Sequence, residues 1–433
     1  MKFFHLADLH LGKRVNGFPM IEDQKYILKQ ILEMIDRERP DGIILAGDIY
    51  DKSIPSVDAV NLFDDFLADL VHRRLQVFVI SGNHDSAERV SYGGRVFEQS
   101  GIHISRRLTG KRSGQEDPED MAGQEDPEIP SDPAAASDPS ASSDPAAASD
   151  PAGREDSGSQ VPGLRPVCLE DEYGPLRVWL IPYIHPSVIR EIYPEDKITD
   201  WTGAMKALLS HAQIDPEARN LAVAHQYVTA GGARPEESDS EQRHIGGLDN
   251  VDVSVFDGFD YVALGHLHGP QRIGRDTVRY AGSPLKYSFS EEHQKKAVTV
   301  LEMKAKDQVE IRQIPLAPLR DLRTLRGTFD EVMSQETTAS LSAEDYYRII
   351  LTDEHDVDQA LSRLRTRHYK NLMELSYDNT RTKTQSAVEA AEETLEKEPS
   401  EVLEDLYKIQ NGAQMSDFQK ELAARLIDEI WNQ

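Results

Sequence analysis

Short apolar runs alternate with amphipathic segments through the first two thirds of this 433-residue chain. Six runs have the length and composition of buried strands: residues 2–9, 42–46, 77–80, 178–181, 221–224 and 261–264. Residues 20–37 carry apolar side chains at helical spacing, and Pro55 is placed to open a second helix that includes Phe63, Phe66 and Leu70. This alternation predicts an α/β fold around a largely buried sheet.

The pattern changes after about residue 284. Residues 296–301 and 309–315 have the character of antiparallel strands. A strand, a helix and a strand are then predicted at 347–351, 357–369 and 372–376, which indicates a small α+β domain. We therefore expect four parts: a main α/β domain at 1–280, the small domain at 281–380, a polar Glu-rich linker at 381–399 and two amphipathic helices at 400–433.

Residues 109–163 differ in composition from everything around them. They repeat Ser-Asp-Pro and Asp-Pro-Ala-Ala-Ala units and contain almost no large apolar side chain. A segment of this composition cannot bury enough surface to offset the entropy that it loses on ordering. We expect a disordered insertion in a surface loop, where added length costs little, and a docking segment is the alternative.

The formal net charge of −28 argues against a nucleic-acid partner, because phosphate binding usually leaves a basic surface. Residues 113–160 hold 13 Asp or Glu and a single Arg, so about −12 of this charge lies in the insertion and about −16 lies elsewhere. Metal ions in a carboxylate-lined site would reverse the local sign, and a basic partner subunit could supply phosphate contacts. The charge weakens the case for DNA binding but leaves that class open.

Three features bear on the compartment. No stretch approaches the roughly 18 continuous apolar residues that a membrane span needs. Residues 1–5 lead directly into a strand, without the regions of a signal peptide. The single cysteine, Cys168, has no partner for an internal disulfide. We therefore expect a cytoplasmic protein with no membrane association.

Polar side chains of the metal-ligand type follow five apolar runs. The five groups are Asp8-Leu9-His10, Gly47-Asp48-Ile49-Tyr50-Asp51, Gly82-Asn83-His84-Asp85, Ala224-His225 and Gly265-His266-Leu267-His268. Ligands of open α/β sheets bind beyond the carboxyl ends of the strands, so all five groups can meet at one edge. Residues i and i+2 of an extended chain point to the same side, which would direct Asp8 and His10 to one site, and likewise His266 and His268.

Each group has an ordinary explanation when it is taken alone. An Asp-X-His is usually a surface turn, Gly-Asp after a strand is commonly a turn or a helix cap, and a single histidine such as His225 is more often hydrogen-bonded in a core. Chance is a poor explanation for five such groups in order. Carboxylates, an amide and imidazoles together favour divalent Mn, Fe, Zn or Mg. Gly47, Gly82 and Gly265 precede the ligands, where the backbone must turn tightly or let another group approach.

The order D-X-H, G-D-X-X-D, G-N-H-D, H, G-H-X-H resembles that of the calcineurin-like metallophosphoesterase superfamily. The resemblance implies a four-layer αββα sandwich with two divalent metal ions as cofactors, Mn(II) first among them. Carried over by position, it implies that one metal is held by Asp8, His10 and His268, that the other is held by Asn83, His225 and His266, and that Asp48 bridges them. Two such cations polarise phosphoryl oxygens and make water nucleophilic at neutral pH.

His84 is not a metal ligand in the family pattern. The resemblance implies a catalytic role, in which this imidazole stabilises the transition state or protonates the leaving oxygen. For Asp85 we expect a structural role, either orienting His84 or capping the next helix.

Two further segments narrow the resemblance. FFHLADLHLG (residues 3–12) and YAGSPLKYSFSE (residues 280–291) closely resemble the SbcD family, the nuclease subunits of bacterial SbcCD complexes. The resemblance covers residues 1–108 and 165–290 well and the remainder mainly by layout. It implies a double-strand exonuclease and single-strand or hairpin endonuclease that acts on DNA in repair and recombination. It also implies a small domain that caps the active site.

The same resemblance implies partners. The terminal helices would dock on an SbcC-like ATPase subunit, and the chain would form a homodimer within a heterotetramer. The apolar positions Phe418, Leu422, Leu426 and Trp431 favour a partner helix over packing within the chain. One departure concerns Asp51, because some nucleases of the wider family have a second histidine there.

Two other function classes stay open. The first is a phosphodiesterase or phosphatase of the same superfamily that acts on nucleotides or small molecules, since the core motif does not name the substrate. The second is a metal-binding scaffold without catalysis. Intact Asp8, Asp48, Asn83 and His84 argue against the scaffold, because a degenerate protein could have lost any of them.

Overall fold

The computed structural model describes residues 1–108, 164–231, 233–241 and 249–380, together with positions 382, 415, 416, 419, 420 and 422. The expected insertion at 109–163 lies outside the described residues, and so does the expected linker at 381–399 except for position 382. Of the expected terminal helices at 400–433, only positions 415, 416, 419, 420 and 422 are described. The chain divides into two compact units, one ending at Asp321 and the other beginning at Leu322. No helix in the described ranges is both long and apolar enough to cross a membrane.

The first unit is built from sixteen described strands and six described helices. The strands are β1 (Lys2–Leu6), β2 (Arg14–Val15), β3 (Phe18–Pro19), β4 (Gly42–Ala46), β5 (Gln76–Ile80), β6 (Ile102–Ile104), β7 (Pro166–Asp171), β8 (Gly174–Ile181), β9 (Arg219–His225), β10 (Val228–Thr229), β11 (Val251–Asp252), β12 (Tyr261–Gly265), β13 (Gln271–Ile273), β14 (Arg275–Tyr280), β15 (Ala297–Met303) and β16 (Val309–Pro315). The helices are α1 (Ile21–Glu38), α2 (Val57–His72), α3 (Ala87–Val90), α4 (Gly94–Phe97), α5 (Pro186–Ile192) and α6 (Trp201–His211).

The first of two six-stranded sheets has the order β16-β15-β1-β4-β5-β6. Strands β1, β4, β5 and β6 run parallel, whereas β15 and β16 are antiparallel additions beside β1. Residues 296–301 and 309–315 are therefore antiparallel strands as predicted, but they complete the first sheet. The boundary predicted at residue 280 was wrong for this reason, and the first unit extends to Asp321.

The second sheet has the order β13-β14-β12-β9-β8-β7, and its four middle strands run parallel. The two sheets pack face to face through a buried apolar layer. Phe3, Ile44 and Phe78 of the first sheet meet Val178 and Leu221 of the second in this layer. Strands β1, β4, β5, β9 and β12 are almost wholly buried on both faces, which explains their nearly continuous apolar sequences.

Helices cover the outer faces of both sheets and complete the predicted four-layer sandwich. On the second sheet, α5 and α6 bury Ile189, Trp201 and Leu208 against β-strand side chains. On the first, α1 and α2 bury apolar faces at helical spacing: Ile27, Leu28, Ile31, Met34 and Ile35, and Ala59, Phe63, Phe66, Leu67 and Leu70. Helix α2 begins after Ser56, whose side chain accepts a hydrogen bond from the Ala59 amide, so Pro55 precedes the cap instead of opening the helix.

The second unit has three parallel strands, β17 (Leu322–Gly327), β18 (Tyr346–Leu351) and β19 (Leu372–Tyr377). Three helices connect them: α7 (Phe329–Val332), α8 (Gln335–Ala339) and α9 (Ala360–Arg367). Tyr347, Ile349, Leu364 and Tyr369 are fully buried in its core. The strand, helix and strand predicted between 347 and 376 are all present.

Candidate metal centre

The loops after β1 and β4 carry the first predicted ligands. Asp8, His10 and Asp48 have φ angles of 54°, 44° and 48°, so each lies in the left-handed region. The amides of Asp8 and His10 donate to the carbonyls of Gly47 and Asp48 at 3.1 and 2.9 Å, which braces the two loops together. The convergence was predicted, but the reasoning from extended chain was wrong here. Strand β1 ends at Leu6, and a tight turn brings Asp8 and His10 to one site.

Glycines let the loops approach one another closely. A Cβ atom on Gly82 would lie 2.2 Å from Asp48 Oδ1, and one on Gly47 would lie 2.3 Å from His225 Nδ1. A Cβ on Gly265 would lie 1.9 Å from the Ala46 carbonyl oxygen. The close approach expected at these three glycines is therefore between parts of the protein itself, including contacts between the two sheets.

The second sheet contributes His225 at the end of β9 and His266 just after β12. The Nδ1 atom of His225 lies 2.8 Å from the Ala46 carbonyl oxygen, which can only accept, so this nitrogen carries the proton. The Nε2 atom then faces Asn83 Oδ1 at 3.0 Å and Asp48 Oδ2 at 3.4 Å. His266 Nδ1 also lies 3.0 Å from Asn83 Oδ1. Asn83, His225 and His266 thus form one contiguous group, as predicted.

His268 extends the cluster toward the loop after β1. Its Nε2 atom lies 3.1 Å from Nε2 of His10. Its Nδ1 atom lies 2.7 Å from Ser240 Oγ and 3.3 Å from Glu291 Oε1. A carboxylate behind the far nitrogen orients a metal-binding imidazole and directs Nε2 to the cation. Glu291 is fully buried and paired at 2.5 Å with Lys296, whose Nζ also donates to the His268 carbonyl oxygen at 2.8 Å.

These side chains fit divalent cations. Ligand atoms lie within 4.8 Å of one another in three overlapping groups: Asp8, His10 and His268; Asp8, Asp48 and His225; and His10, Asp48 and His84. Asp8, His10, Asp48 and His225 are at most 2 % exposed. Among the described residues, Nδ1 of His10 is buried without a hydrogen-bond partner. Two imidazole nitrogens face each other and carboxylates lie beside them, which is a donor set for Mn, Fe or Zn.

The charges in the cluster are strongly coupled. Burial raises the pKa of Asp8 to about 7, and the nearby Asp48 carboxylate acts in the same direction. Burial also acts to raise the pKa of Asp48, but His225, His10 and His84 hold it well below its usual range. Burial lowers the pKa of His225, yet Asp48 and Asp8 outweigh this effect and raise it to about 9. The cluster therefore retains protons near neutral pH that a bound divalent cation would displace.

His84 lies beside the ligands and is oriented by the backbone. Its amide donates to Asp48 Oδ1 at 2.9 Å, and its Nδ1 lies 3.0 Å from the Asp51 carbonyl oxygen. The carbonyl requires a proton on Nδ1, which leaves Nε2 for chemistry. The ring centroids of His84 and His10 are 4.9 Å apart, so His84 borders the cluster.

Asp85 has a structural role different from both expected ones. Its carboxylate accepts hydrogen bonds from the amides of Ile49, Tyr50 and Gly82 at 2.9 to 3.0 Å. It therefore joins the loops after β4 and β5. The next helix is capped by Ser86 instead, and His84 is oriented by Asp51. Asp51 stands where some nucleases of the wider family have a second histidine. Its carboxylate accepts from Lys13 Nζ at 2.8 Å and so forms an ion pair beside His10.

Sequence reasoning missed several groups behind the ligands. Residues 280–291 were selected for their resemblance alone, and they supply Glu291 behind His268 and Tyr287, whose ring lies 5.6 Å from His10 and 5.8 Å from His268. Ser240 and Lys296 carried no signal of their own. Glu291, the last residue of segment 280–291, was the only sign in the sequence of a carboxylate partner for His268.

Comparisons with known proteins follow the same division. A family model described as Calcineurin-like phosphoesterase matches residues 1–270, and one described as Type 5 capsule protein repressor C-terminal domain matches residues 318–411. The chain is 27% identical over 437 residues to the SbcCD nuclease subunit of Staphylococcus epidermidis, with 99% of each chain covered.

A dimetal phosphatase from Danio rerio is 10% identical and covers 74% of this chain and 98% of its own, with a TM-score of 0.36. The protein TT1561 of Thermus thermophilus is 11% identical and covers 72% of this chain and 98% of its own, with a TM-score of 0.34. The family model spans more than half of the chain and includes all five loops that carry the predicted ligands. This chain therefore belongs to the calcineurin-like phosphoesterase family.

Proposed function

We propose that this chain is the nuclease subunit of an SbcCD-type complex and hydrolyses DNA phosphodiesters with two divalent cations. The observation that carries the proposal is the convergence of seven predicted ligands in one cluster, six of them buried, in a chain similar over its whole length to a nuclease subunit. The cluster supports metal-dependent phosphoester chemistry, and the full-length similarity supports DNA as the substrate.

The two cations would have separate ligand sets. Asp8, His10 and His268 lie together and would hold the first. Asn83, His225 and His266 lie together and would hold the second. Asp48 approaches both His10, at 3.7 Å, and His225, at 3.4 Å, which suits a carboxylate shared between two ions. Mn(II) is the proposed metal because the donor set mixes carboxylate, amide and imidazole.

Bound cations of this kind polarise the phosphoryl oxygens and lower the pKa of water to near neutrality. The protein supplies a rigid and dry frame. Burial of Asp8, His10 and His225 strengthens their electrostatic interactions, and the Ala46 carbonyl and Glu291 fix the ring orientations of His225 and His268. Little reorganisation is then needed when a substrate binds.

His84 is the proposed catalytic residue. With Nδ1 held by the Asp51 carbonyl, Nε2 of the protonated ring can donate to a phosphoryl oxygen or to the leaving oxygen. This role requires the geometry of the loop after β5, which Asp85 holds through three backbone amides.

The proposed partners are DNA and an SbcC-like ATPase subunit. The net charge of −28 disfavours DNA binding by this chain alone, so the partner would supply much of the DNA-binding charge. We propose that the chain after residue 400 docks on the ATPase subunit. A homodimer within a heterotetramer is the proposed assembly.

The decisive test is hydrolysis of labelled duplex, hairpin and single-stranded DNA with Mn(II), with and without the ATPase subunit. We expect cleavage by the wild type and a loss of about 10²- to 10⁴-fold in His84→Ala, the range for a general acid. Two metal ions per chain should remain in that variant, because His84 is not a proposed ligand.

The matched control is His72→Ala, an exposed histidine at the end of α2, which should retain full activity. Activity confined to cyclic nucleotides or phosphate monoesters, with every DNA substrate uncut, would reject the DNA nuclease and favour the small-molecule phosphodiesterase or phosphatase. Truncation after Pro399 should spare hydrolysis and weaken co-purification with the ATPase subunit.

A further inference from the structure

A cavity of about 350 Å³ opens beside the metal centre on the side of Asn83. Gly82 and Asn83 form one part of its lining, and Tyr183, Ile184 and His185 form another. These three residues follow Pro182 after the end of β8, at the carboxyl edge of the second sheet. The volume lies in the range of small-ligand pockets, about 300 to 1,000 Å³.

The cavity is continuous with the proposed phosphate site. Asn83 Oδ1 lies 3.0 Å from both His225 Nε2 and His266 Nδ1, so one residue belongs to the metal cluster and to the cavity wall. The ring of Tyr183 lies 6.4 Å from that of His225, centroid to centroid. The Tyr183 amide donates to the Ser81 carbonyl oxygen at 2.9 Å, which fixes this wall against the loop that carries Asn83.

The walls of the cavity suit a flat and uncharged group. The ring of Trp201 lies 5.7 Å from that of Tyr183 and 5.0 Å from that of His185, centroid to centroid, so the three rings form one aromatic group beside the cavity. Leu108 and Val188 add apolar surface. Nucleobases stack on aromatic side chains of this kind irrespective of sequence, because every base has a π face.

The charged groups of the lining are already engaged with each other or with the backbone. Arg107 pairs with Glu88 at 2.5 Å on the exposed rim. The Asp85 carboxylate accepts three backbone amides. A second phosphate would therefore meet no unpaired cation among the described lining residues, whereas a neutral base meets no opposing charge. The lack of an unpaired cation in the described lining favours an uncharged nucleoside over a second phosphate as the occupant.

We propose that this cavity receives the unpaired nucleoside next to the scissile phosphate, with its base stacked on Tyr183 and flanked by His185. The inference rests on the proposed function and assigns a subsite to it. A base can enter only after leaving its partner strand, so the subsite would favour frayed ends, hairpin loops and single strands over the interior of a duplex.

The test uses the full-length chain with Mn(II) and a single-stranded oligonucleotide with one cleavable linkage. Abasic tetrahydrofuran residues replace the nucleoside on either side of that linkage, one at a time. For the wild type we expect kcat/KM to fall about tenfold at one of the two positions, since base stacking on one aromatic residue has about this effect. Tyr183→Ala should lose about tenfold on the intact substrate and no longer distinguish it from the abasic one. Tyr183→Phe should behave as the wild type.

A binding measurement without metal provides a second readout. Quenching of an oligonucleotide with 2-aminopurine at the sensitive position should occur in chelator with the wild type and with Tyr183→Phe, and should be lost in Tyr183→Ala. Tyr26→Ala, a half-exposed tyrosine of α1 outside the lining, is the matched control and should change neither readout. Thermal unfolding identifies a variant that fails to fold, and Tyr183→Leu then replaces it, keeping the bulk without the ring.

The outcomes separate the two proposals. If the wild type cuts the intact and both abasic substrates at equal rates, or if Tyr183→Ala still discriminates between them, the subsite is rejected while the nuclease function stands. If the wild type cuts no DNA in Mn(II), the proposed function fails and the subsite fails with it.

Discussion

The two ends of the paired sheets in the first unit are built on opposite principles. At the amino ends of the parallel strands, groups of opposite charge meet across the sheets and neutralise each other. At the carboxyl ends, buried carboxylates lie beside one another and imidazole nitrogens face each other. One end is complete as a protein structure, and the other has a donor set that fits a cation, which is the arrangement expected when ligands bind at the carboxyl edge of an α/β sheet.

The amino ends are joined by ion pairs and backbone contacts. Arg219, at the start of β9, binds Asp171 of β7 at 2.5 Å and donates to the Lys304 carbonyl of the first sheet at 2.8 Å. The Met1 amino group binds Asp171 at 2.9 Å. Asp260, just before β12, accepts from Lys306 at 3.1 Å and from the Asp307 amide at 2.7 Å. The turn between β15 and β16 thereby fastens one sheet to the other.

At the carboxyl ends, buried groups of like charge and opposed imidazoles lower the stability of the protein. Asp8 and Asp48 are buried in one cluster, and the pKa of Asp8 reaches about 7 mainly through burial. Opposed imidazoles of His10 and His268 approach to 3.1 Å. Such an arrangement costs stability in the absence of metal, and the energy is recovered when a cation binds, because binding to the native state stabilises it by mass action.

Of the substitutions at the carboxyl ends, Asp48→Ala should have the largest effect on metal binding and hydrolysis. We expect loss of two-metal occupancy and a fall in hydrolysis of at least about a thousandfold, well beyond the about 10- to 100-fold loss typical of groups behind a ligand. The metal-dependent gain in thermal stability should vanish as well, since that gain reflects binding. Metal analysis, hydrolysis rates and melting curves with and without Mn(II) check the three effects.

The matched control is Asp276→Ala on β14, where the carboxylate is 69% exposed and pairs with Arg272 on the surface. It should retain both ions and the full rate. Two tightly held ions in Asp48→Ala would contradict the assignment of this carboxylate to both cations.

Gly265→Ala should strain the contact between the sheets at the same end. The added Cβ would lie 1.9 Å from the Ala46 carbonyl and 2.8 Å from His225 Nδ1, so backbone must shift. We expect a loss of about 3 kcal/mol in the free energy of unfolding, at the upper end for overpacking, together with weaker metal binding. Gly258→Ala is the control, because its Cβ would meet nothing within 4 Å. Equal urea midpoints for the two variants would contradict a tight contact at Gly265.

The sequence was sufficient to predict which polar side chains converge, because their positions follow from strand ends. Each of the five polar groups directly follows an apolar run, and the carboxyl ends of parallel strands meet at one edge. The sequence did not reveal the left-handed backbone at Asp8, His10 and Asp48, because non-glycine residues seldom adopt it. The correct cluster was therefore predicted with the wrong local geometry.

The amino ends were not predicted at all. Arg219 and Asp171 are 48 positions apart, and Lys304 lies a further 85 positions along the chain, so no local pattern connects them. For the same reason the pairing of β15 with β1 could not be inferred, although both were predicted as strands, and the domain boundary was placed about 40 residues too early. Long-range pairing depends on packing against neighbours more than on intrinsic preference.

Arg219→Met should weaken the amino end while leaving the chemistry intact. Asp171 would lose its closest partner but keep the Met1 amino group, so we expect about 2 kcal/mol, below the range for breaking a fully buried pair. Hydrolysis at 25 °C should remain unchanged, since the site lies at the other end. Arg73→Met, which removes exposed pairs with Asp36 and Asp69, should cost less than Arg219→Met, because solvent screens exposed ion pairs. A loss of metal from Arg219→Met would show that the two ends are coupled.

Acid should weaken the amino end by the smallest amount. Burial acts to raise the pKa of Asp171, but hydrogen bonds from Arg219 and the Met1 amino group lower it to about 2, from an ordinary value of 3.8. A carboxylate with a lowered native pKa binds fewer protons folded than unfolded, so its contribution is complete above about pH 4 and is lost as the pH falls toward 2. Because the pair is partly exposed, we expect the free energy of unfolding to fall by at most about 1 kcal/mol.

The measurement is urea unfolding at pH 5 and pH 3, in chelator, for the wild type and Asp171→Asn. The wild type should lose more stability between the two pH values than the variant, because only the wild type carries this titrating group. Equal losses would place the acid sensitivity of the sheet pair elsewhere and would remove the pH argument for a charge-paired amino end.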